Sequence, residues 1–131
     1  MNNLIGFDGS EIELSIEDNV IGHKSIKLIK PANISYWASV HFEIPITENE
    51  LNKTLILYCN VKTTAALSCQ IYSNNTYKMN LINIPQLNEF TEISGSYTPS
   101  EVSTLSLRFV FNPSNKTEAI FYIDNIRVFL Q

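Results

Sequence analysis

The strongest constraint on the fold of this chain is a period of two in the order of its apolar and polar residues, which is the period of a β-strand. Across 37–44 one set of alternate positions is apolar: Ala38, Val40, Phe42 and Ile44. The other set is polar apart from one aromatic residue: Trp37, Ser39, His41 and Glu43. Successive side chains of a strand point to opposite faces of its sheet, so we expect the first set in the core and the second on the surface.

Similar segments recur along the chain. The same alternation predicts strands over 55–62, 67–72 and 105–111. Further strands are expected over 11–16, 25–30, 76–84, 90–96 and 119–129. The prolines fall between these segments, and Thr47 and Glu50 form a capping-box pattern that we interpret as a turn, because no helical periodicity follows it. Short strands separated by turns predict an all-β sandwich or barrel.

Length and charge limit the class of protein. The chain has 131 residues, which fits one domain spanning 1–131, since domains cluster at roughly 100 to 150 residues. Its net charge of -4 lacks the basic surplus typical of nucleic-acid-binding proteins. No apolar run approaches the roughly 20 residues of a membrane span, and the N-terminus lacks the pattern of a signal peptide. We therefore expect no nucleic-acid partner and no membrane insertion.

The common sequence motifs of enzymes are missing. The chain has no Gly-x-Ser-x-Gly elbow, no His-Glu-x-x-His and no glycine-rich phosphate loop. Glu43 and Glu92 would act as glycosidase carboxylates only at a separation of roughly 5 to 9 Å, and no sequence feature brings them together. We therefore predict that the protein is not an enzyme.

The two cysteines would face each other if 55–62 and 66–72 formed a hairpin about Thr64. In that register residues whose numbers sum to 128 lie opposite, so Cys59 would neighbour Cys69 on the core face. Two states are then open, a disulfide or two buried thiols that pack as small apolar groups. The lack of a secretion signal favours the thiols.

Four aromatic residues occupy polar-face positions of the predicted strands: Trp37, Tyr58, Tyr72 and Tyr77. Sugar rings stack their C–H faces on such aromatic planes, and polar side chains bind their hydroxyls. Suitable polar residues occupy the same kind of position: His41, Glu43, Asn60, Gln70 and Arg108. The alternative is that the aromatic rings cover sheet edges or pack under loops.

A carboxylate interrupts the apolar segment 121–128 near the C-terminus. Asp124 lies between core-type residues there, where a charge is costly unless it is paired or binds a cation. Calcium takes roughly six to eight oxygen ligands, so a second acid is needed, and Asp8 is the best candidate. Alternatively, Asp124 accepts backbone N–H groups at a β-bulge.

Several short motifs follow one another in a specific order: Asn3-Leu4-Ile5 with Phe7-Asp8, Gly22 to Leu28, Trp37 to Val40, Tyr58 to Lys62, Phe90 to Thr98 and Phe121 to Val128. Their order and spacing resemble carbohydrate-binding modules of the family 4/9 and 22 type, and the resemblance spans nearly the whole chain. The resemblance implies a jelly-roll β-sandwich of two antiparallel sheets.

The resemblance also implies two sites. One is a structural calcium ion (Ca2+) bound by Asp8, a turn carbonyl near His23 and Asp124. The other is a sugar site on the concave sheet, with Trp37 at the stacking position of the family. Together with the polar-face residues, this predicts that a polysaccharide or cell-surface glycan binds through Trp37, His41, Glu43, Tyr58, Asn60, Gln70 and Arg108.

Two functions are therefore expected from the sequence. The first is non-catalytic carbohydrate binding by an extracellular or virion-associated protein. The alternative is a tail or baseplate module of a phage-type virion without sugar affinity, because the same sandwich also serves in such particles. The expected partners are a polysaccharide or glycan, and also other domains of a larger protein or a virion assembly.

Overall fold

The computed structural model describes residues 3–6, 11–15, 25–30, 32, 39–112 and 117–131. Three predicted site residues, Asp8, His23 and Trp37, lie outside the described residues, and for His41 only the backbone is described. The described chain forms ten strands: β1 (Asn3–Gly6), β2 (Glu11–Ser15), β3 (Ser25–Lys30), β4 (Ser39–Ile46), β5 (Leu55–Thr63), β6 (Leu67–Ser73), β7 (Thr76–Ile84), β8 (Leu87–Tyr97), β9 (Ser103–Phe111) and β10 (Ala119–Leu130).

The strands form two five-stranded sheets. The first sheet has the order β1-β4-β9-β6-β7, and the second has the order β2-β3-β10-β5-β8. Every neighbouring pair is antiparallel. From β3 onward the chain crosses to the other sheet at every connection except the turn between β6 and β7. The prediction of an all-β jelly-roll sandwich of two antiparallel sheets is confirmed.

The core lies between the two sheets. β5 shows the expected alternation, since Leu55, Leu57, Cys59 and Val61 are fully buried and the residues between them are not. Phe109 of β9 lies at the centre, with its ring centroid 5.3 Å from that of Phe121 and 6.3 Å from that of Phe42. Burial of these aromatic and branched side chains is the main stabilising contribution to such a fold.

The predicted hairpin about Thr64 is wrong. β5 pairs with β8 and β10, whereas β6 pairs with β7 and β9 in the other sheet. The connection between them turns at Thr63, whose hydroxyl donates to the carbonyl of Ala65 at 2.7 Å. Cys59 and Cys69 are therefore not cross-strand neighbours within one sheet. Both are buried and reduced, which agrees with the interpretation as two packed thiols.

Several strand boundaries differ from the prediction. Pro45 lies inside β4 and not between strands, but β1 pairs only with residues 40–43, so Pro45 has a paired neighbour on one side only. Residues 48–50 form one short 3-10 turn, in which the Glu50 carboxylate accepts the N–H and the hydroxyl of Thr47. The prediction of a turn there is close to the observed structure.

At Gly95 the edges of the two sheets approach each other closely. A Cβ atom at this position would lie 2.7 Å from Leu81 Cγ and 2.8 Å from Ile82 Cγ1, so no larger residue fits without displacing β7. The absence of a side chain at Gly95 thus allows β8 of the second sheet to pack closely against β7 of the first.

Among the described residues there is no helix with the length and hydrophobicity required to span a bilayer.

Candidate functional site

The outer face of the first sheet brings polar and aromatic residues into rows that cross four strands. One row contains His41, Arg108, Gln70 and Asn80, which are register partners across β4, β9, β6 and β7. The next row contains Glu43, Ser106, Tyr72 and Tyr77 on the same four strands. The candidate site is built on these two rows, which we call the first-sheet face.

Arg108 is the best-anchored side chain of the first-sheet face. Its guanidinium carbon lies 3.9 Å from the centre of the Tyr72 ring, a short cation–π contact. Its Nε donates to Ser106 Oγ at 3.0 Å, and its Nη2 donates to Asn75 Oδ1 at 3.1 Å. Because the guanidinium covers one side of Tyr72, that side of the ring is closed to a ligand.

Tyr77 is the accessible aromatic residue of the first-sheet face. Its side chain is 49% exposed, and its ring meets Tyr72 edge-on at a centroid distance of 5.7 Å. The Tyr77 hydroxyl donates to Asn80 Oδ1 at 3.0 Å, and Asn80 Nδ2 donates to Asn83 Oδ1 at 3.3 Å. An aromatic ring held at its edge and at its hydroxyl offers a fixed stacking surface, with two amide groups beside it.

Two irregularities in the pairing of β6 with β7 create this arrangement. Tyr77, Asn80 and Asn83 are three residues apart, a spacing that would place them on alternating faces of a regular strand. Register shifts between Cys69 and Gln70 and between Ile71 and Tyr72 each insert one extra residue in β7. The bulges thereby turn all three side chains to the outer face, as their register partners Tyr72, Gln70 and Ser68 show.

A depression of about 710 Å³ lies at one end of β6, β7 and β9, and Asn80 of the first-sheet face forms part of its lining. Its polar lining comes from Ser68, Asn80, Asn83 and Asn112, and apolar side chains such as Val110 and Pro85 complete it. None of the described residues that line the depression is charged. Ligand clefts have volumes of roughly 300–1,000 Å³ and combine apolar walls with a few polar groups, and this depression matches that description.

The structure separates the predicted sugar-binding residues into two groups. Glu43, Gln70 and Arg108 lie on the first-sheet face, together with the backbone of His41. Gln70 is only 8% exposed, and it supports the site from beneath by accepting the Tyr72 hydroxyl at 3.2 Å. Asn80 and Asn83 were not among the predicted residues, because their spacing of three carries no signal for a shared face without the bulges.

Tyr58 and Asn60 lie on the outer face of the second sheet, so they do not share a surface with Gln70 and Arg108. The expectation that all the predicted residues share one surface is therefore wrong, because β5 and β6 belong to different sheets. The Tyr58 ring lies 5.3 Å from the guanidinium carbon of Arg127, which forms a 2.7 Å ion pair with Glu92. Tyr58 also meets Phe129 edge-on at 6.0 Å.

Asp124 lies at a β-bulge. This agrees with the predicted alternative in which its carboxylate accepts backbone N–H groups at such a bulge. The register of β10 against β5 shifts between Asp124 and Arg127, and Asn125 adopts a left-handed φ of 51°. The buried Asp124 carboxylate accepts the N–H of Asn125 at 2.6 Å. No cluster of three or more metal-ligating side chains occurs among the described residues, which exclude Asp8 and His23. The calcium site therefore stays a prediction.

Comparison with known proteins gives matches to solved structures only. No protein-family model matches the sequence, and no curated protein is significantly similar to it. A family 4 carbohydrate-binding module matches at a TM-score of 0.69 and 10% identity, over 98% of this chain and 94% of its own. The family 22 xylan-binding domain of Paenibacillus barcinonensis Xyn10C matches at 0.74 and 13% identity, over 97% of this chain and 85% of its own.

A viral protein shares the same fold. The enzymatically active domain of tailspike protein 4 from bacteriophage CBA120 matches at a TM-score of 0.74 and 17% identity. The match covers 98% of this chain but 19% of the tailspike chain. At these identities the comparisons establish the fold, which is that of carbohydrate-binding modules, as the motif resemblance implied.

Proposed function

We propose that this protein is a non-catalytic carbohydrate-binding module that holds a glycan on the first-sheet face. The observation that carries the proposal is an exposed aromatic ring, Tyr77, whose hydroxyl is bonded to Asn80, and Asn80 lines an open depression together with Asn83. Tyr77 would stack on a sugar ring, and Asn80 and Asn83 would bind its hydroxyls. The fold shared with carbohydrate-binding modules supports the proposal.

Arg108 has a supporting part in this proposal. Its contacts with Tyr72, Ser106 and Asn75 tie β9 to β6 and to the turn that precedes β7. The guanidinium therefore holds the Tyr72 ring against which Tyr77 packs. Trp37 would add a second stacking surface if it occupies the position that the family resemblance implies.

Replacing Tyr77 by alanine should lower the affinity for the bound polysaccharide about tenfold or more, because truncation of an aromatic anchor typically costs about 2 kcal/mol. Affinity electrophoresis in gels that contain soluble xylan or another polysaccharide identified on a glycan array measures the change. Tyr77→Phe should retain most of the affinity, since the ring remains.

Phe129→Ala is the matched control for this experiment. Phe129 is also 49% exposed, but it lies on β10 of the second sheet. Its removal should leave glycan affinity unchanged. If no polysaccharide slows the protein, or if Tyr77→Ala and Phe129→Ala behave alike, the proposed site is wrong.

The second candidate function is a structural module of a phage-type virion without sugar affinity. The match to the tailspike domain is the observation that favours it. The two functions differ in one measurement, because a purely structural module binds no immobilised glycan but copurifies with particles of its phage. The carbohydrate-binding function implies an extracellular or virion-associated location, and the structural function implies a location in the virion.

We also propose that calcium binds at the bulge of β10. Asp124 would supply a carboxylate there, with Asp8 and the carbonyl near His23 as further ligands. Asp124 is a suitable calcium ligand because its carboxylate is buried and the left-handed backbone of the neighbouring Asn125 bends the strand locally. Calcium that binds only the folded state should raise the melting temperature, and excess chelator should lower it.

The magnitude of the chelator effect depends on the concentration of free ion. At about 100 times the dissociation constant, the stabilisation would be about 2.7 kcal/mol. Differential scanning fluorimetry with calcium and with excess chelator measures it. Asp124→Asn should abolish the difference between the two conditions, whereas an identical melting temperature of the unaltered protein in both would disprove the site.

A further inference from the structure

Three exposed side chains form a line along β7, the last strand in the order of the first sheet. Tyr77, Asn80 and Asn83 all point to the outer face of this sheet, and all three are exposed. They are also joined to one another, since the Tyr77 hydroxyl donates to Asn80 and the Asn80 amide donates to Asn83. We call these three residues the β7 row.

The members of the β7 row are evenly spaced. Their register partners on β6 are Tyr72, Gln70 and Ser68, which are successive outward-pointing residues of that strand. A strand rises about 3.3 Å per residue, so neighbouring members lie about 7 Å apart and the whole row is about 13 Å long. Each step is similar in length to one unit of a linear sugar chain. The row therefore presents one side chain to each of three consecutive units.

The surface across the sheet differs from the surface along β7. Several side chains that point outward from the central strands β9 and β6 are buried: Ser106, Val110 and Gln70. A glycan that crossed the sheet from β7 toward β4 would pass over these buried groups. Along β7, by contrast, the side chains of the row follow one another on an exposed surface. The accessible polar groups thus favour a ligand that runs parallel to the strand.

Each member of the β7 row can form further hydrogen bonds. The Tyr77 oxygen can still accept one, and Asn80 and Asn83 each retain an amide hydrogen that can be donated. Sugar hydroxyls both donate and accept, so they match a row of this kind. Asn80 and Asn83 also line the depression of about 710 Å³, so the row leads from the Tyr77 ring into a concave surface.

We propose that the glycan lies along β7, parallel to the strand, and that the site binds a linear chain of three or more sugar units. Tyr77 stacks on one unit, and Asn80 and Asn83 bind hydroxyls of the next two units at the depression. This inference rests on the proposed carbohydrate-binding function. It adds the direction of the bound chain and its minimum length.

The first test is the dependence of affinity on chain length. Oligosaccharides of one to six units are prepared by hydrolysis of soluble xylan, or of the polysaccharide that the glycan array identifies, and are titrated by isothermal titration calorimetry. The affinity should rise steeply from the monosaccharide to the trisaccharide. Equal affinities for the two would mean that the site binds a single sugar, which would overturn the proposal.

The second test is the substitution Asn83→Ala. It should weaken binding of the trisaccharide and of longer chains about fivefold, equivalent to about 1 kcal/mol for one hydrogen bond. It should leave disaccharide binding unchanged, because a disaccharide stacked on Tyr77 does not reach Asn83. Asn88→Ala is the matched control, since Asn88 is an exposed asparagine on β8 of the second sheet. This control should bind every chain length as the unaltered protein does.

The opposite direction of the chain makes a different prediction. Glu43 lies in the same cross-strand row as Tyr77, three strands away on β4, so a glycan that crosses the sheet would contact it. A larger loss of trisaccharide affinity in Glu43→Gln than in Asn83→Ala would overturn the proposed direction. So would an Asn83→Ala loss that is the same for the disaccharide and the trisaccharide.

Failure of this inference is distinguishable from failure of the proposed function. If the polysaccharide binds and Tyr77→Ala weakens binding, but Asn83→Ala behaves like Asn88→Ala, the function stands and the direction along β7 is wrong. If no polysaccharide binds the unaltered protein, the function itself is wrong, and this inference is overturned with it.

Discussion

Replacing Phe109 by alanine should lower the free energy of unfolding by about 3–5 kcal/mol, the usual cost of removing a buried phenylalanine ring. Phe109 is fully buried and packs against Phe42 from its own sheet and Phe121 from the opposite one. Its removal leaves a cavity between the two sheets. The strands around this cavity are hydrogen-bonded to their neighbours, so they cannot easily move to fill it. Equilibrium urea denaturation measures the change.

The size of this loss is large relative to the stability of a domain, which is typically about 5–15 kcal/mol. Phe129→Ala serves as the control, because the same ring is removed from a position that is 49% exposed. We expect a loss of about 1 kcal/mol or less for that variant. Equal losses at the two positions would contradict the described core.

Stability should fall steeply in alkaline solution because of the buried thiols. Burial raises the pKa of the Cys59 thiol to about 12 and raises that of Cys69 well above its ordinary value of 9.0. In the unfolded chain both thiols ionise near pH 9, whereas in the folded protein they are still protonated at that pH. Stability from Cys59 is therefore complete below pH 9 and is lost as the pH rises toward 12, by about 1.4 kcal/mol per pH unit.

The test is urea denaturation of the protein and of Cys59→Ala at pH 7.5 and pH 10.5. Tyrosines and lysines also titrate in this range, so the informative quantity is the difference between the two proteins. The unaltered protein should lose about 2 kcal/mol more than the variant over this interval. Parallel losses would show that Cys59 ionises as easily in the folded protein as in the unfolded chain.

The same burial predicts the chemical behaviour of the thiols. A cysteine reacts as its thiolate, and both thiols here are shielded and protonated at neutral pH. The two thiols belong to different sheets and both lie in the core between them, where the interaction with Cys59 adds to the effect of burial in raising the pKa of Cys69. The two cysteines thus act as small apolar residues of the core.

Much of the secondary structure followed directly from the sequence. The segments predicted at 55–62, 76–84 and 105–111 coincide with β5, β7 and β9 to within two residues at each end. The inward positions were equally clear, as the burial of Leu57, Leu107 and Phe109 shows. Alternation is a local property, since the backbone of a strand itself turns successive side chains to opposite faces.

The candidate site was only partly predictable. Gln70 and Arg108 were expected to share a surface and do so, because they lie in regular stretches of adjacent strands. Asn80 and Asn83 were missed because two bulges set their orientation, and a bulge arises from the pairing of β7 with β6 and not from β7 alone. Tyr58 was expected on one surface with Gln70 and Arg108 but lies on the other sheet, because an inner and outer pattern does not identify the sheet to which a strand belongs.

The sequence by itself determined most of the strands and which of their residues point inward, and the order of its motifs resembled that of a β-sandwich. Only the tertiary structure decided which strands are neighbours. A hairpin in one sheet and two strands facing each other across the core both bury Cys59 and Cys69, so the local pattern is the same for either arrangement. Hydrogen bonding between distant segments selects one of them, and that choice places Tyr58 on the second sheet, away from Gln70 and Arg108 on the first.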